Sequence, residues 1–330
     1  MHYQIIEHHH IFEPMRYFDQ CHASTLCALP NDELICAWFA GSKEGNPDCA
    51  IWSARTENGV WLPPVKVADA EDVPCWNPVL FYNGSKLMLF YKVGAAIPKW
   101  QTWVIESEDL GITWSTPREL VPGNHGGRGP VKNKCLRLQS GRVLAPASIE
   151  TPTEWYCFTD ISDDNGNTWH AGELVPLNRS SLSGLGAIQP SLWQKTDGTV
   201  CMYMRSTEGV VMQSESHDEG QTWQQAQKTE IPNNNCGIDL AQLSDGRLIL
   251  VGNPVGENWG KRSPIAFWVS EDENAQQWSE ANILDYVPCE KNEYRAEFSY
   301  PAVVIKDDDI FITYTWKREN IAFWRIRIII

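Results

Sequence analysis

The chain has 330 residues, of which 42% are hydrophobic and 11% aromatic, with 23 Gly and 20 Pro, a composition that excludes disordered and fibrous classes. Its 27 basic and 42 acidic residues leave a formal charge of −15. That charge argues against nucleic acid or an anionic membrane as partner, and an anionic substrate needs a local basic pocket. Residues 1–7 lack a charged segment followed by an apolar run, so no secretory signal is read, and no apolar stretch is long enough to span a bilayer. Ten cysteines, from Cys21 to Cys289, are scattered without a CxxC pair and read as buried free thiols of a cytoplasmic protein rather than as disulfides or a zinc site.

In chain order, residues 3–12 form a strand-like segment with no hairpin partner nearby. Its His8-His9-His10 run divides three rings between two faces of a strand, which suits an exposed edge better than a metal, and no metal or cofactor is expected. An eight-residue pattern, Ser-x-Asp-x-Gly-x-Thr-Trp, then recurs at Ser107–Trp114, Ser162–Trp169 and Ser216–Trp223. Degenerate copies are read at Ser53 and Ser270, giving steps of 54, 55, 54 and 54 residues. Tight-turn signals at Asn31-Asp32, Asn83-Gly84, Ser140-Gly141, Asp197-Gly198 and Asp245-Gly246 separate short apolar runs within each unit. The last unit shows strands over 300–305, 310–316 and 321–329 and then ends. The expectation is a single domain over 1–330, all-β: a six-bladed β-propeller of four-stranded antiparallel blades, closed by the N-terminal strand as outer strand of the last blade.

The eight-residue motif sits between third and fourth strands, where its Ser and Asp can cap turn amides and its Trp can pack between sheets. Starts of first strands, ends of second strands and starts of third strands share the opposite end of each blade. The residues opening the innermost strands are His22, Asn77, Asn133, Gln189, Asp239 and Tyr300, polar where a purely structural strand accepts Val or Ile. They are expected to ring one axial pocket. Loops at that end add Glu44, Asp48, Arg128, Lys132, Lys134, Arg205 and Arg262, while Trp76 offers a sugar-stacking face.

These motifs, together with Trp38–Gly45 and Phe298–Ala302, resemble the sialidase-like (BNR, or Asp-box, repeat) propellers, in the bacterial branch of predicted neuraminidases. The resemblance covers essentially the whole chain. It implies that Asp48 is the acid/base residue, that Arg205 and Arg262 are two members of an arginine triad, and that Tyr300 matches the nucleophilic tyrosine. The pattern breaks at three places. His22 stands where the first triad arginine belongs, Gln189 where a glutamate activates the tyrosine, and Thr315-Trp316 where a supporting glutamate falls. Tyrosine, with a pKa near ~10, needs a base to become nucleophilic. His22, Asp239 or Glu297 takes that role, or Tyr300 is a binding or acid group.

The resulting expectation is an exo-acting glycoside hydrolase removing a terminal sugar, sialic acid or another, from an acidic glycan. Catalysis is assigned to Asp48, His22 and Tyr300, and substrate binding to Arg205, Arg262, Gln189, Asn77, Arg128, Glu44, Asp239, Asn133, Lys132 and Glu297. Two alternatives stay open: a sialidase-like lyase using His22 and Tyr300 as base and acid, and a non-catalytic carbohydrate-binding propeller. If His22 is the base, a pH limb is expected near ~6.5.

Overall fold

The computed structural model describes residues 2–288 and 296–329, so Cys289 lies outside the described residues. Six antiparallel sheets follow one another along the chain, and their innermost strands are Gln20–Ala28, Cys75–Tyr82, Leu136–Arg137, Ala187–Gln194, Asp239–Gln242 and Phe298–Lys306. We call these blades I to VI. Blade VI orders His2–His10, Asn320–Ile329, Asp309–Trp316 and Phe298–Lys306 from rim to axis, so the N-terminal strand closes the ring as expected. It pairs antiparallel with the C-terminal strand from His2 opposite Ile329 to His10 opposite Ala322, covering an edge that would otherwise expose a row of unpaired amides.

Neighbouring blades pack face to face because each strand alternates its side chains between two apolar interfaces. Between blades I and II, for example, Ile35, Ala37 and Phe39 meet Leu80, Leu87, Leu89 and Tyr91. Each fully buried residue of this size stabilises the fold by about 1.5–3 kcal/mol. The three full motifs close the blade ends as staples: Ser107 Oγ accepts from Gly111 N at 2.8 Å, and Asp109 accepts from Thr113 N at 2.8 Å and Thr113 Oγ1 at 2.6 Å. The copies beginning at Ser162 and Ser216 repeat these bonds.

The copy expected at Ser53 is not there. Ser53 lies inside the third strand of blade I, Ala50–Glu57, and that strand turns at Asn58-Gly59, with Glu57 opposite Val60. Both turn residues are left-handed, φ 51° and 74°, the geometry of a two-residue hairpin, and Glu33 accepts the Asn58 amide at 2.7 Å. Among the described residues nine cysteines are free thiols, eight of them buried and Cys27 partly so. His8 stacks on Trp324 at 3.7 Å and His10 packs on Trp316 at 4.5 Å, while His9 meets Phe323. Among the described residues no group of three or more His, Cys, Asp or Glu side chains is placed to hold a metal, and no helix is long and apolar enough to cross a membrane.

Candidate functional site

The pocket owes its shape to a defect repeated in four innermost strands. Their registers jump between His22 and Thr25, Trp76 and Val79, Ile188 and Ser191, and Ser299 and Ala302. At each jump a non-glycine residue is left-handed: Ala23 (φ 59°), Asn77 (33°), Gln189 (52°) and Tyr300 (52°). In three of the four the next residue is proline, at 78, 190 and 301, which has no N–H to leave unpaired in the bulge. Such backbone costs on the order of 1–3 kcal/mol per residue, most of all for a bulky side chain like tyrosine, and bulges re-aim side chains beside functional sites. His22 is therefore not the counterpart of Tyr300, as the reading of strand openings had it. Ala23 is, and His22 sits one residue earlier, in the position of Trp76, Ile188 and Ser299.

Tyr300, Gln189 and Arg205 form the centre. Arg205, at the end of the second strand of blade IV, donates from Nη1 to the Tyr300 hydroxyl oxygen at 2.7 Å and to Gln189 Oε1 at 3.0 Å. Its Nε donates to Asn235 Oδ1 at 2.8 Å, and Gln189 Nε2 reaches the Tyr300 hydroxyl at 3.4 Å. With two protein donors on the phenol oxygen, its own proton is free to point at a substrate. Arg205 is only 4% exposed, yet among the described residues it forms no ion pair. The rings of Trp155 and Trp259 flank its guanidinium at 6.0 and 5.7 Å, and Trp259, 55% exposed, stands at the mouth.

A second cluster lies on the other side of Tyr300. Glu297 accepts from Arg262 Nη1 at 2.6 Å, Arg318 Nε at 2.9 Å and Ser299 Oγ at 2.6 Å. Burial raises a carboxyl's pKa, but Arg262 and Arg318 overcome it and hold Glu297 well below the usual carboxylate range. Arg318 also pairs with Glu44, which ties the loop 42–48 to the cluster. The His22 ring packs against the Tyr300 ring with centroids 4.2 Å apart, and its Nδ1 lies 2.9 Å from Thr315 Oγ1 and 3.8 Å from Glu297. Burial, then Arg318, push His22 well below 6.5, so the ring is neutral at neutral pH. The anionic Glu297 favours the proton on Nδ1, leaving the lone pair on Nε2, which has no partner among the described residues.

The geometry separates the other candidates into pocket and scaffold. Neither Glu297 nor Asp239 is available as the replacement base. Glu297 is saturated by cations, and Asp239 accepts from Lys134 Nζ at 2.8 Å, Ser191 Oγ at 2.9 Å and Val303 N at 2.9 Å. Lys132 is buried beneath Tyr300 and donates to Asn133 Oδ1 at 2.8 Å and to the carbonyls of Ile238 and Pro301; burial lowers it to about 8. Asn133 donates to the Gln189 and Pro190 carbonyls, bracing the blade IV bulge. Arg128 does not face the pocket centre, because it makes a two-pronged pair with Asp160 at 2.8 and 2.8 Å and bonds the Trp169 carbonyl. Asn77 is buried without a side-chain partner among the described residues. Trp76 spends its indole N–H on Gly94 O at 2.9 Å and packs on Trp100 at 5.2 Å, and a Cβ at Gly45 would lie 3.2 Å from its ring. Asp48 is exposed on the loop 42–48, where it accepts from Ser42 N at 2.9 Å and Ser42 Oγ at 3.0 Å.

Five residues of this site, Arg318, Asn235, Trp155, Trp259 and Glu150, were not picked out from sequence. Arg318 and Glu150 follow or end second strands, the end of the blade already assigned to the pocket, and that position was the available signal.

Residues 32–312 match the BNR repeat-like domain family. The chain is 30% identical to human Sialidase-4 over 144 residues, covering 38% of this chain and 29% of that protein. It is 26% identical to a sialidase of Clostridium perfringens over 139 residues, covering 38% and 34%. The chain thus spans about a third of these relatives' length. Among solved structures, a protein of unknown function from Dyadobacter fermentans superposes with a TM-score of 0.78 at 15% identity, covering 99% of both chains. The intramolecular trans-sialidase of Ruminococcus gnavus gives 0.71 at 14% identity, covering 96% of both.

Proposed function

The chain belongs to the BNR repeat-like domain family and is a sialidase-like propeller, and on that premise we propose that it is an exo-acting glycoside hydrolase that removes a terminal sugar from an acidic oligosaccharide. The observation that carries this reading is Arg205. A buried guanidinium normally has a carboxylate partner, because leaving the charge unpaired in a poorly solvated site is costly. Arg205 has only the neutral Gln189, Asn235 and Tyr300 oxygens, so a substrate carboxylate completes it.

In this reading Arg205 anchors the acidic group while the Tyr300 hydroxyl and His22 Nε2 work on the sugar from the pocket floor. His22, held neutral, accepts a proton from the water whose oxygen bonds to the anomeric carbon as the glycosidic bond breaks, and the Tyr300 hydroxyl keeps its proton and donates a hydrogen bond to the sugar. The family resemblance supplies Asp48 as the group that protonates the departing oxygen, on a loop fixed through Glu44 to Arg318. Among the described residues Tyr300 has no carboxylate at hydrogen-bond distance, which separates it from a tyrosine activated by glutamate.

The pairing of a neutral His22 with Tyr300, rings 4.2 Å apart, also supports a second reading, elimination at a uronate with these two as base and acid. Acidic oligosaccharides and aryl glycosides incubated with the protein and read by mass spectrometry distinguish the cases. Products that have gained water support hydrolysis. Products without added water that absorb in the near ultraviolet support elimination, and unchanged substrate that stays bound supports a binding protein.

A further inference from the structure

Glu150 ends the second strand of blade III, Val143–Glu150, on the pocket face, directly opposite Trp155 in the antiparallel register. Trp155 is one of the two rings flanking Arg205. The other well-buried carboxylates around the axis all have cationic partners: Glu297 has Arg262 and Arg318, Asp239 has Lys134, and Asp160 has Arg128. The Glu150 carboxyl has neither a hydrogen bond nor an ion pair among the described residues, although the residue is partly buried. Arg205 is the cation within its electrostatic reach, and the remaining titratable neighbour is the buried Cys157 thiol on the adjoining strand. Thus, among the described residues, Arg205 forms no ion pair, and Glu150, set beside it through Trp155, forms none either and lies within its electrostatic reach but beyond bonding distance.

We propose that Glu150 is a specificity-determining carboxyl that serves as the distant counter-charge of Arg205 in the empty pocket and takes up one proton from solvent when a substrate carboxylate occupies Arg205. The inference rests on the acidic-substrate reading of this site. Two carboxylates cannot both stay ionised beside one guanidinium in a poorly solvated pocket, so one must be protonated. The substrate carboxylate takes the direct, charge-assisted contact with Arg205, while Glu150 is already disposed to accept a proton, burial raising its pKa against the opposing pull of Arg205. Protonated Glu150 then becomes a hydrogen-bond donor to the ligand. The site consequently binds an acidic sugar together with a proton, and its affinity for such a sugar declines as pH rises.

The test uses glucuronic acid and N-acetylneuraminic acid as probes, with their neutral methyl esters as controls, titrated calorimetrically into the full chain in two buffers of different ionisation heat. The expected result is uptake of about one proton per bound acid and none with the esters, with acid affinity falling about tenfold per pH unit once free Glu150 is ionised. Glu150→Gln should abolish the uptake, flatten the pH profile and bind the acids about tenfold or more tightly at the alkaline end. Glu150→Asp should keep the uptake. Acid binding without proton uptake in the wild type, or uptake undiminished in Glu150→Gln, overturns the role of Glu150 and leaves the acidic-substrate reading standing. Failure of both acids and of every acidic oligosaccharide to bind overturns that reading itself.

Discussion

Arg205→Met separates a substrate anchor from a structural cation. A carboxylate about 4 Å from a guanidinium at an effective dielectric of about 20 gains about 4 kcal/mol. Part of this is lost in desolvating the ligand, and pairs of this kind contribute about 2–4 kcal/mol net. The substitution should therefore weaken binding of an acidic sugar by about 30- to 1000-fold. The fold should be affected far less. Removing the side chain deprives Gln189, Asn235 and Tyr300 of one donor each, at about 1–3 kcal/mol for each acceptor that is sealed from water. It also removes a buried charge that has no counter-ion at bonding distance, which offsets much of that cost. Calorimetric titration of glucuronic acid and its methyl ester, beside a thermal melt, reads both quantities. Equal loss for acid and ester, or collapse of the melt with the acid affinity intact in the folded fraction, would refute the reasoning.

Asp48→Asn should eliminate turnover on substrates with poor leaving groups while leaving the melting temperature unchanged, since Asp48 is exposed and among the described residues is bonded only to Ser42; wild-type rates would remove it from the mechanism. His22→Ala should cut the rate by about 10²–10⁴, and the acidic limb of the wild-type profile should lie well below 6.5 rather than near it, because burial and Arg318 disfavour the imidazolium. A limb at 6.5 that survives the substitution would assign the titration elsewhere. Lys92 is sealed between Thr102 and the Arg128 carbonyl, and burial lowers it from 10.5 to about 7. Its native form is neutral between about 7 and 10.5 while the unfolded chain is protonated, so stability rises with pH across that window. Denaturation at about pH 7 and about pH 9 should show the wild type gaining about 2 kcal/mol more than Lys92→Met, and parallel gains would contradict the neutral buried amine.

Much of the architecture was legible because a propeller repeats its instructions. Three motif copies set the period, the turn pairs set the hairpins, and a stray strand at one end with a missing strand at the other set the closure. At Ser53 a Ser, Asn, Gly and Trp stand at nearly the right spacing, but the strand runs on through Ser53 into a two-residue hairpin whose Asn58 amide is held by Glu33. Local pattern does not register a partner arriving from 25 residues away. The same limit governs the site. His22, Gln189, Arg205, Arg262 and Tyr300 were readable as polar or charged residues at one end of their strands. Arg318 was not, because its own left-handed backbone (φ 59°) in the turn brings it onto Glu297, and neither feature has a sequence period.

Where a chain departs from a family's catalytic pattern, the space left by a missing charge is either filled or left to a ligand, and here both occur. On the blade VI side, the place of the first arginine is taken by a neutral His22, and Arg318 enters from a different hairpin to share Glu297 with Arg262. Those charges are mutually satisfied within the protein, so they set the electrostatic background in which His22 stays unprotonated. On the blade IV side, Gln189 replaces the expected glutamate with a neutral group, and Arg205 loses a carboxylate without gaining another at bonding distance. One loss is repaired and the other is not. The unrepaired one coincides with the left-handed Gln189 and Tyr300, whose backbone strain is retained although either position would relax with a glycine. A guanidinium with no carboxylate at bonding distance and a strained tyrosine in contact with it at 2.7 Å are costly for stability alone. Under the function proposed above, the carboxylate of an acidic ligand offsets that cost by pairing with Arg205.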